Sequence, residues 1–298
     1  MTDCAVVIVN YNAGALLVEA ARSALESGAS ELVVVDNAST DDSLARLEHA
    51  VGNEVTILRN DVNLGFAAGC NAGIRGSSAA SILFLNPDAR LGTASLARLH
   101  QVLWSAPSIG MVGPRLLNPD GSEQRGGRRR IPTVWSGFSF GLVPRFVRRR
   151  VPRFFPEFNQ NELSLPDSPV DVEAISGSCM MVRRSAVDKV GLWDEGYFLH
   201  VEDVDYCMRF GRADLRIVFV PDAVAVHVKG ASSRARPIRV EWHKHRGMMR
   251  FYDKFLAPRQ SLPVTALVKS GILLRFVLVC AGTTLDRLRA GQRRDAPR

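Results

Sequence analysis

Residues 31–37 read Glu31-Leu32-Val33-Val34-Val35-Asp36-Asn37. Four aliphatic residues in a row, without alternation, predict a short strand buried in a sheet, and the Asp-Asn that ends it marks where the chain leaves that sheet. The same pattern extends outward on both sides. Ala5–Asn10 reads as a strand, Ala15–Glu26 as a helix, Glu31–Asp36 as the second strand and Ser43–Ala50 as a helix. Val55–Arg59 is a third strand, Ala67–Arg75 a helix, Ser81–Leu85 a fourth strand and Thr93–Trp104 a further helix. Strands alternating with helices through short turns make βαβ units, hence an α/β fold with a Rossmann-like, mainly parallel sheet flanked by helices. Such sheets bind ligands at the carboxyl ends of their strands. Polar residues gather there: Asn10-Tyr11-Asn12, Asp36-Asn37, Asn60-Asp61 and Asn86-Pro87-Asp88.

The remainder is less regular. Residues 118–168 are rich in Pro, Gly and Arg and read as a basic, flexible insert. Strands are expected at Ser178–Arg183, Leu215–Val220 and Ala223–Val228, with a helix from Ser185 and another from about Val201. The latter rests on Val201, Val204 and Met208 as a buried face. Beyond Arg234 the pattern is helical, so 1–234 reads as one domain and 235–298 as a helical C-terminal region. Pro263–Leu288 is apolar but interrupted by Lys269 and Arg275. Its longest uncharged run is half of the roughly 20 residues a spanning helix needs. It therefore reads as an interfacial helix, with packing against the first domain as the plainer alternative.

With 298 residues, 46% hydrophobic and 23% charged, the chain has ample core for a globular protein. Five scattered cysteines without a CxxC pair argue against a disulfide framework or structural zinc and suit a reducing cytosol. No signal peptide is visible at Met1-Thr2-Asp3. The net charge of +8 is uneven: nine arginines and no acid lie between Arg125 and Arg153, beside Trp135, Phe138, Phe140, Phe146, Phe154 and Phe155. That mixture suits an anionic membrane surface. A basic loop ranks second and nucleic acid third.

Trp193–Arg209 holds five carboxylates, Asp194, Glu195, Glu202, Asp203 and Asp205, among aromatic and apolar residues. They are either a functional acid cluster or, for Glu202 and Asp203, ordinary partners of a helix dipole. The first strand ends Asn10-Tyr11-Asn12-Ala13-Gly14, without the glycine fingerprint of dinucleotide binding. Ser39 or Asp41 reads as a helix N-cap. The glycines of Asn63–Gly73 allow either close approach of a ligand or tight helix–sheet packing. Asn86-Pro87-Asp88 is by default a turn, yet a carboxylate at a strand end can hold Mg²⁺ or Mn²⁺. His227 needs Asp88 beside it to become a ligand.

In this order and spacing the motifs resemble family 2 glycosyltransferases of the GT-A fold, over roughly residues 5–234. They are Val-Asn-Tyr-Asn, Val-Asp-Asn-Ala-Ser-Thr-Asp, Asn-Leu-Gly-Phe-Ala-Ala-Gly-Cys-Asn, Asn-Pro-Asp, Ser-Gly-Ser-Cys-Met-Met-Val-Arg-Arg, Gly-Leu-Trp-Asp-Glu-Gly-Tyr-Phe, Glu-Asp-Val-Asp and His227. Within the family the chain is most similar to bacterial rhamnosyltransferases acting on lipid-linked glycans. The resemblance implies that Tyr11, Asn12, Asp36, Asn37 and Asn63 hold the nucleoside of a sugar nucleotide. It further implies Asp88 and His227 as metal ligands, Asp203 as catalytic base, Glu202 and Asp194 as orienting groups, and Gly177-Ser178 as lining of the sugar pocket. Asn86 stands where many members have Asp, which removes one charge from the metal site.

The expected activity is inverting transfer of a sugar, best L-rhamnose from dTDP-rhamnose, to a polyprenyl-diphosphate-linked saccharide for cell-envelope polysaccharide. Mg²⁺ or Mn²⁺ would assist, and the enzyme would sit peripherally on the cytoplasmic face of the cell membrane, without nucleic acid. A non-catalytic nucleotide-sugar or membrane-binding scaffold of the same fold is the alternative. A nucleotidyltransferase is more distant.

Overall fold

The structure, a computed structural model, describes residues 2–134, 150, 158–228 and 237–294. Strand β1 (Thr2–Asn10) is buried from Cys4 to Asn10, and β2 (Ala29–Asp36) from Leu32 to Asp36. Neither alternates, because helices cover both faces of the sheet. β1 pairs in parallel with β2, and β2 with β3 (Thr56–Arg59). β1 also pairs in parallel with β4 (Ser81–Leu85). The connecting helices are α1 (Leu16–Glu26), α2 (Ser43–Val51) and α3 (Phe66–Arg75), close to the bounds expected from periodicity.

Past β4 the sheet becomes mixed. β5 (Ala89–Leu91) and α4 (Ser95–Trp104) lead to β6 (Ile109–Leu117), then to the short β7 (Arg128–Arg129), β8 (Val170–Asp171) and β9 (Ala174–Ile175). β10 (Cys179–Arg183) runs antiparallel between β4 and β6. Helix α5 (Arg184–Val190) and helix α6 (Glu202–Arg212) precede β11 (Arg216–His227). β11 runs parallel to β6 and antiparallel to β5 and β8. The order across the sheet is β3-β2-β1-β4-β10-β6-β11-β5, with β8 beside β11. The two strands expected at 215–228 are thus one strand. Its register slips between Val220 and Val224, which absorbs Pro221-Asp222 without breaking the ladder.

Two local features depart from the sequence reading. Helix α6 begins at Glu202, because His200 and Val201 adopt φ of 70° and 74° and cannot continue a right-handed helix. Its buried apolar face is Val204, Cys207 and Phe210; Met208 is only partly covered. The small residues of α3 serve packing. A Cβ on Gly69 would fall 2.6 Å from Val9 Cγ1, and one on Gly73 would collide with Val7 Cγ1, so both glycines let α3 lie directly on β1.

The described residues divide into two compact units. The first holds 2–131, 158–198 and 202–228 and contains the sheet; the second holds 132–134, 150, 199–201 and 237–294. In the second, α7 (Pro237–Phe251) packs on α8 (Leu262–Arg294). Leu262–Thr284 is long and apolar enough to cross a membrane. Lys269, which interrupts the apolar sequence, pairs with Asp253 at 2.7 Å, and Arg275 donates to His245 Nε2 at 2.7 Å. Leu267, Leu273, Leu274, Val277 and Leu278 remain exposed. Counting uncharged residues therefore understated this helix: its charges have partners, and 23 residues rise about 35 Å. All five cysteines are free thiols. Of the arginine cluster, Arg145, Arg148, Arg149 and Arg153, with the aromatics from Trp135 to Phe155, lie outside the described residues.

Candidate active site

Strand register brings the polar strand ends together. Ile8 pairs with Leu85, Leu85 with Cys179, and Ala89 with His227, so residues 10–12, 86–88, 176–178 and 227 share one edge of the sheet. Three groups of side chains occupy it.

The first lies at the ends of β1 and β2. Asp36 is buried: its Oδ1 accepts from Asn10 Nδ2 at 2.8 Å and Ser39 Oγ at 2.6 Å, its Oδ2 from Ser39 N at 3.0 Å. Asn12, at φ 52°, caps the next loop by accepting Thr40 N at 2.7 Å. Asn37 donates to Gly65 O at 3.0 Å and accepts Asn60 Nδ2 at 2.8 Å, while Asn63 Oδ1 accepts Gly65 N at 2.9 Å. Asn12, Asp36, Asn37 and Asn63 thus shape the rim by bonding to each other's loops, and Tyr11 stands exposed beside them. Neither expected cap holds the N-cap position of α2, which is Asp42 without a side-chain cap bond; Asp41, one residue earlier, accepts Ser43 N at 3.2 Å. Ser39 turns to Asp36 instead.

The second group is Asn86, Asp88, Gln124 and His227. Asp88 Oδ1 lies 3.1 Å from His227 Nε2, and both side chains are buried. Asn86 Nδ2 is 3.4 Å from the same nitrogen. Gln124 Oε1 lies 2.7 Å from His227 Nδ1. Among the described residues no group of three His, Cys, Asp or Glu side chains could hold a metal ion. The pair nevertheless fits a cation that draws its other ligands from a diphosphate, the habit of Mg²⁺ in phosphate chemistry. With Nδ1–H given to Gln124, a neutral imidazole turns its Nε2 lone pair toward a carboxylate oxygen. Two acceptors 3.1 Å apart need a proton or cation between them.

The third group surrounds Asp203. Its Oδ2 accepts from Arg129 Nη2 and from Gly177 N at 3.1 Å; its Oδ1 accepts from Val204 N at 2.8 Å. Next door, Ser178 O accepts Asn86 N at 2.9 Å, and Ser178 Oγ is 2.6 Å from Ser176 Oγ. The Gly177-Ser178 turn therefore touches both Asp203 and the Asn86-Pro87-Asp88 loop. There is no room to spare: a Cβ on Gly177 would lie 3.1 Å from Asp203 Cβ.

The other acids of the cluster behave differently. Asp205 is fully buried and bonds Arg209 Nε at 2.7 Å and Tyr197 OH at 3.1 Å, a structural role. Asp194 Oδ1 accepts Gly196 N at 3.0 Å within its own turn. Glu202 is buried at the start of α6; burial first, and the charge of Glu202 second, push the Cys70 thiol up. Two residues were missed in the sequence: Gln124 and Arg129 fall in the stretch expected to be a flexible insert. Gln124 is instead buried beside His227, and Arg129 is held in β7, which pairs with β9.

A model of glycosyl transferase family 2 matches residues 5–191, and one of glycosyl transferase family group 2 matches 145–282. The chain belongs to glycosyl transferase family 2. This transferase is 32% identical over 251 residues to the N-acetylglucosaminyl-diphospho-decaprenol L-rhamnosyltransferase of Mycobacterium tuberculosis, covering 80% of each chain. It is 28% identical to a low-salt glycan biosynthesis hexosyltransferase of Haloferax volcanii, covering 76% of this chain and 67% of that one. Its fold matches that of a Pyrobaculum calidifontis mannosyltransferase solved with GDP-Man and Mn²⁺. The TM-score there is 0.57 at 14% identity, over 98% of this chain and 79% of the other. The α/β sheet with flanking helices is thus the GT-A fold, and the protein is a glycosyltransferase.

Proposed function

We propose that this transferase moves a sugar, with inversion, from a nucleotide donor to a hydroxyl of a saccharide carried on a polyprenyl diphosphate, and that dTDP-L-rhamnose is the donor. The observation that carries the reading is that the Gly177-Ser178 turn bonds Asp203 through Gly177 N and, through Ser178 O, the backbone of Asn86, whose side chain lies 3.4 Å from His227 of the Asp88–His227 pair. A carboxylate base and a site for diphosphate charge, side by side, are what a single displacement at an anomeric carbon requires. The choice of rhamnose and of a lipid-linked acceptor rests on likeness to the mycobacterial relative.

In this reading Asp203 takes the acceptor's proton. Among the described residues its Oδ2 is filled by Arg129 and Gly177, whereas Oδ1 has one backbone donor and keeps a lone pair, so Oδ1 is the atom that receives the proton. Arg129 anchors Oδ2 and fixes the plane of the carboxylate. Tyr11, Asn12, Asp36, Asn37 and Asn63 form the nucleoside rim, Gly177-Ser178 lines the sugar, and Asp194 and Glu202 orient hydroxyls. Asp88 and His227 would hold Mg²⁺ or Mn²⁺, which supplies charge neutralisation to the departing diphosphate. Residues 1–234 act as the catalytic domain and 235–298 as a membrane-associating region. The exposed leucine face of α8 supports contact with lipid at the inner face of the cell membrane, where a soluble donor meets a lipid-borne acceptor.

The test is nucleoside diphosphate release from UDP-, dTDP- and GDP-sugars with short-chain lipid-diphosphate saccharides as acceptors. Acceptor-dependent release from dTDP-rhamnose, reduced about 10²- to 10⁴-fold in Asp203→Asn, is expected. Full activity in that variant would remove Asp203 as base. Release from another donor alone would remove rhamnose.

A further inference from the structure

The carboxamide of Gln124 is buried and every polar atom of it is engaged. Its Nε2 lies 3.0 Å from the backbone oxygen of His227 and 3.0 Å from Asn118 Oδ1. A backbone carbonyl can only accept, so the end of the amide facing it must be the NH₂ group. Asn118 agrees: its own Nδ2 donates to Ser122 Oγ at 2.9 Å, and that hydroxyl donates to Asp120 at 2.6 Å, which leaves Asn118 Oδ1 as the acceptor. Gln124 Oε1 therefore faces His227 Nδ1, at 2.7 Å, and can only accept from it. The proton sits on Nδ1. In the neutral ring Nε2 then carries the lone pair, beside Asp88.

The opposite tautomer would use the same 3.1 Å contact as an ordinary hydrogen bond, with Nε2–H donating to Asp88 Oδ1. That pair would be closed to a cation. One amide thus decides which of the two states the pair adopts, as second-shell acceptors do for histidines that bind metals.

We infer that Gln124 is a positioning residue that fixes His227 as its Nδ1–H tautomer, so that Nε2 and Asp88 together present ligands to a divalent cation. The inference rests on the reading of Asp88 and His227 as the cation pair. Gln124 reaches His227 twice, through the ring and through the backbone oxygen, and so holds both the tautomer and the ring's position at the end of β11.

The experiment uses the full chain. Long-range ¹H–¹⁵N spectra of the metal-free protein report the His227 tautomer, and electron paramagnetic resonance titration reports affinity for Mn²⁺ alone. Wild type is expected to show Nδ1–H. Gln124→Leu, which removes the acceptor, is expected to give mixed tautomers and Mn²⁺ affinity weaker by about 10- to 100-fold. Gln124→Glu keeps an acceptor at Nδ1 but loses the donations to His227 O and Asn118 Oδ1. Its charge by itself attracts Mn²⁺, so its readout is the spectrum: it should retain Nδ1–H where the Leu variant does not. A wild-type ring with Nδ1 unprotonated overturns the inference. So does unchanged Mn²⁺ affinity in Gln124→Leu when His227→Ala abolishes binding. If His227→Ala leaves Mn²⁺ affinity unchanged, it is the cation pair itself that fails.

Discussion

The Arg129 guanidinium and the Asp203 carboxylate form an ion pair across 74 residues of sequence, with both side chains largely shielded from water. The pair uses one carboxylate oxygen and leaves the other turned toward a single backbone donor. The proposed role of Asp203 as a base toward a sugar hydroxyl would benefit from this division: one oxygen is anchored and the other is available.

Removing the anchor tests that division. Arg129→Met should lower kcat by about 10²-fold, the scale expected when a reacting group loses its alignment, with little change in donor KM. Arg129→Lys restores charge without the planar fork and should fall between. Wild-type kcat in the Met variant would show that Arg129 has only a structural part.

Asn86 lies within 3.4 Å of His227 Nε2, so a carboxylate there would face the same point as Asp88. Asn86→Asp should tighten Mn²⁺ binding by roughly tenfold, about 1.4 kcal/mol. Calorimetric titration of Mn²⁺ in the presence of a nucleoside diphosphate checks this. Weaker binding would mean that the added charge repels Asp88 instead of sharing a cation with it.

The contact of α3 with β1 depends on absent side chains. Gly73→Ala would drive a methyl into Val7 and should cost about 1–3 kcal/mol of stability, read as a lower urea midpoint at unchanged m-value. Gly28→Ala is a poor control because of its φ of 86°; Gly211→Ala, in α6 with open space around it, should leave stability unchanged or raise it by up to about 1 kcal/mol.

The second unit carries a pH-dependent contact. His245 accepts from Arg275 at Nε2 and is 2.7 Å from Glu241 O at Nδ1, which requires a neutral ring. Burial first lowers its pKa from 6.5; the charges of Arg275 and Lys244 act in the same direction, and Glu241 opposes them. Because the folded value is depressed, the unfolded state binds more protons just below pH 6.5, so stability of this contact is present above 6.5 and lost as pH falls. Protection factors in α8, with the intrinsic pH dependence of amide exchange divided out, should therefore fall between about pH 7 and 5.5, and His245→Gln should flatten that dependence. Identical pH profiles for the two proteins would discard the idea.

The sequence by itself determined the βαβ half of this protein. Uninterrupted runs such as Val33-Val34-Val35 can be satisfied only inside a covered sheet, and polar residues at strand ends mark its binding edge. It also drew attention to Asp88, His227 and Asp203, because carboxylates among apolar residues and a histidine after a buried run are chemically costly. Only the tertiary structure decided how these groups are held. Gln124 lies 103 residues from His227 and Arg129 lies 74 from Asp203, and both sit in a stretch whose Pro, Gly and Arg content resembles a loop. Nothing local in 118–131 distinguishes a solvated arginine from one paired with the Asp203 carboxylate. That difference is set by where β6 ends, by the pairing of β7 with β9, and by the antiparallel insertion of β10, which brings Gly177 to the edge. These are long-range registers, and no periodicity within a short window encodes them.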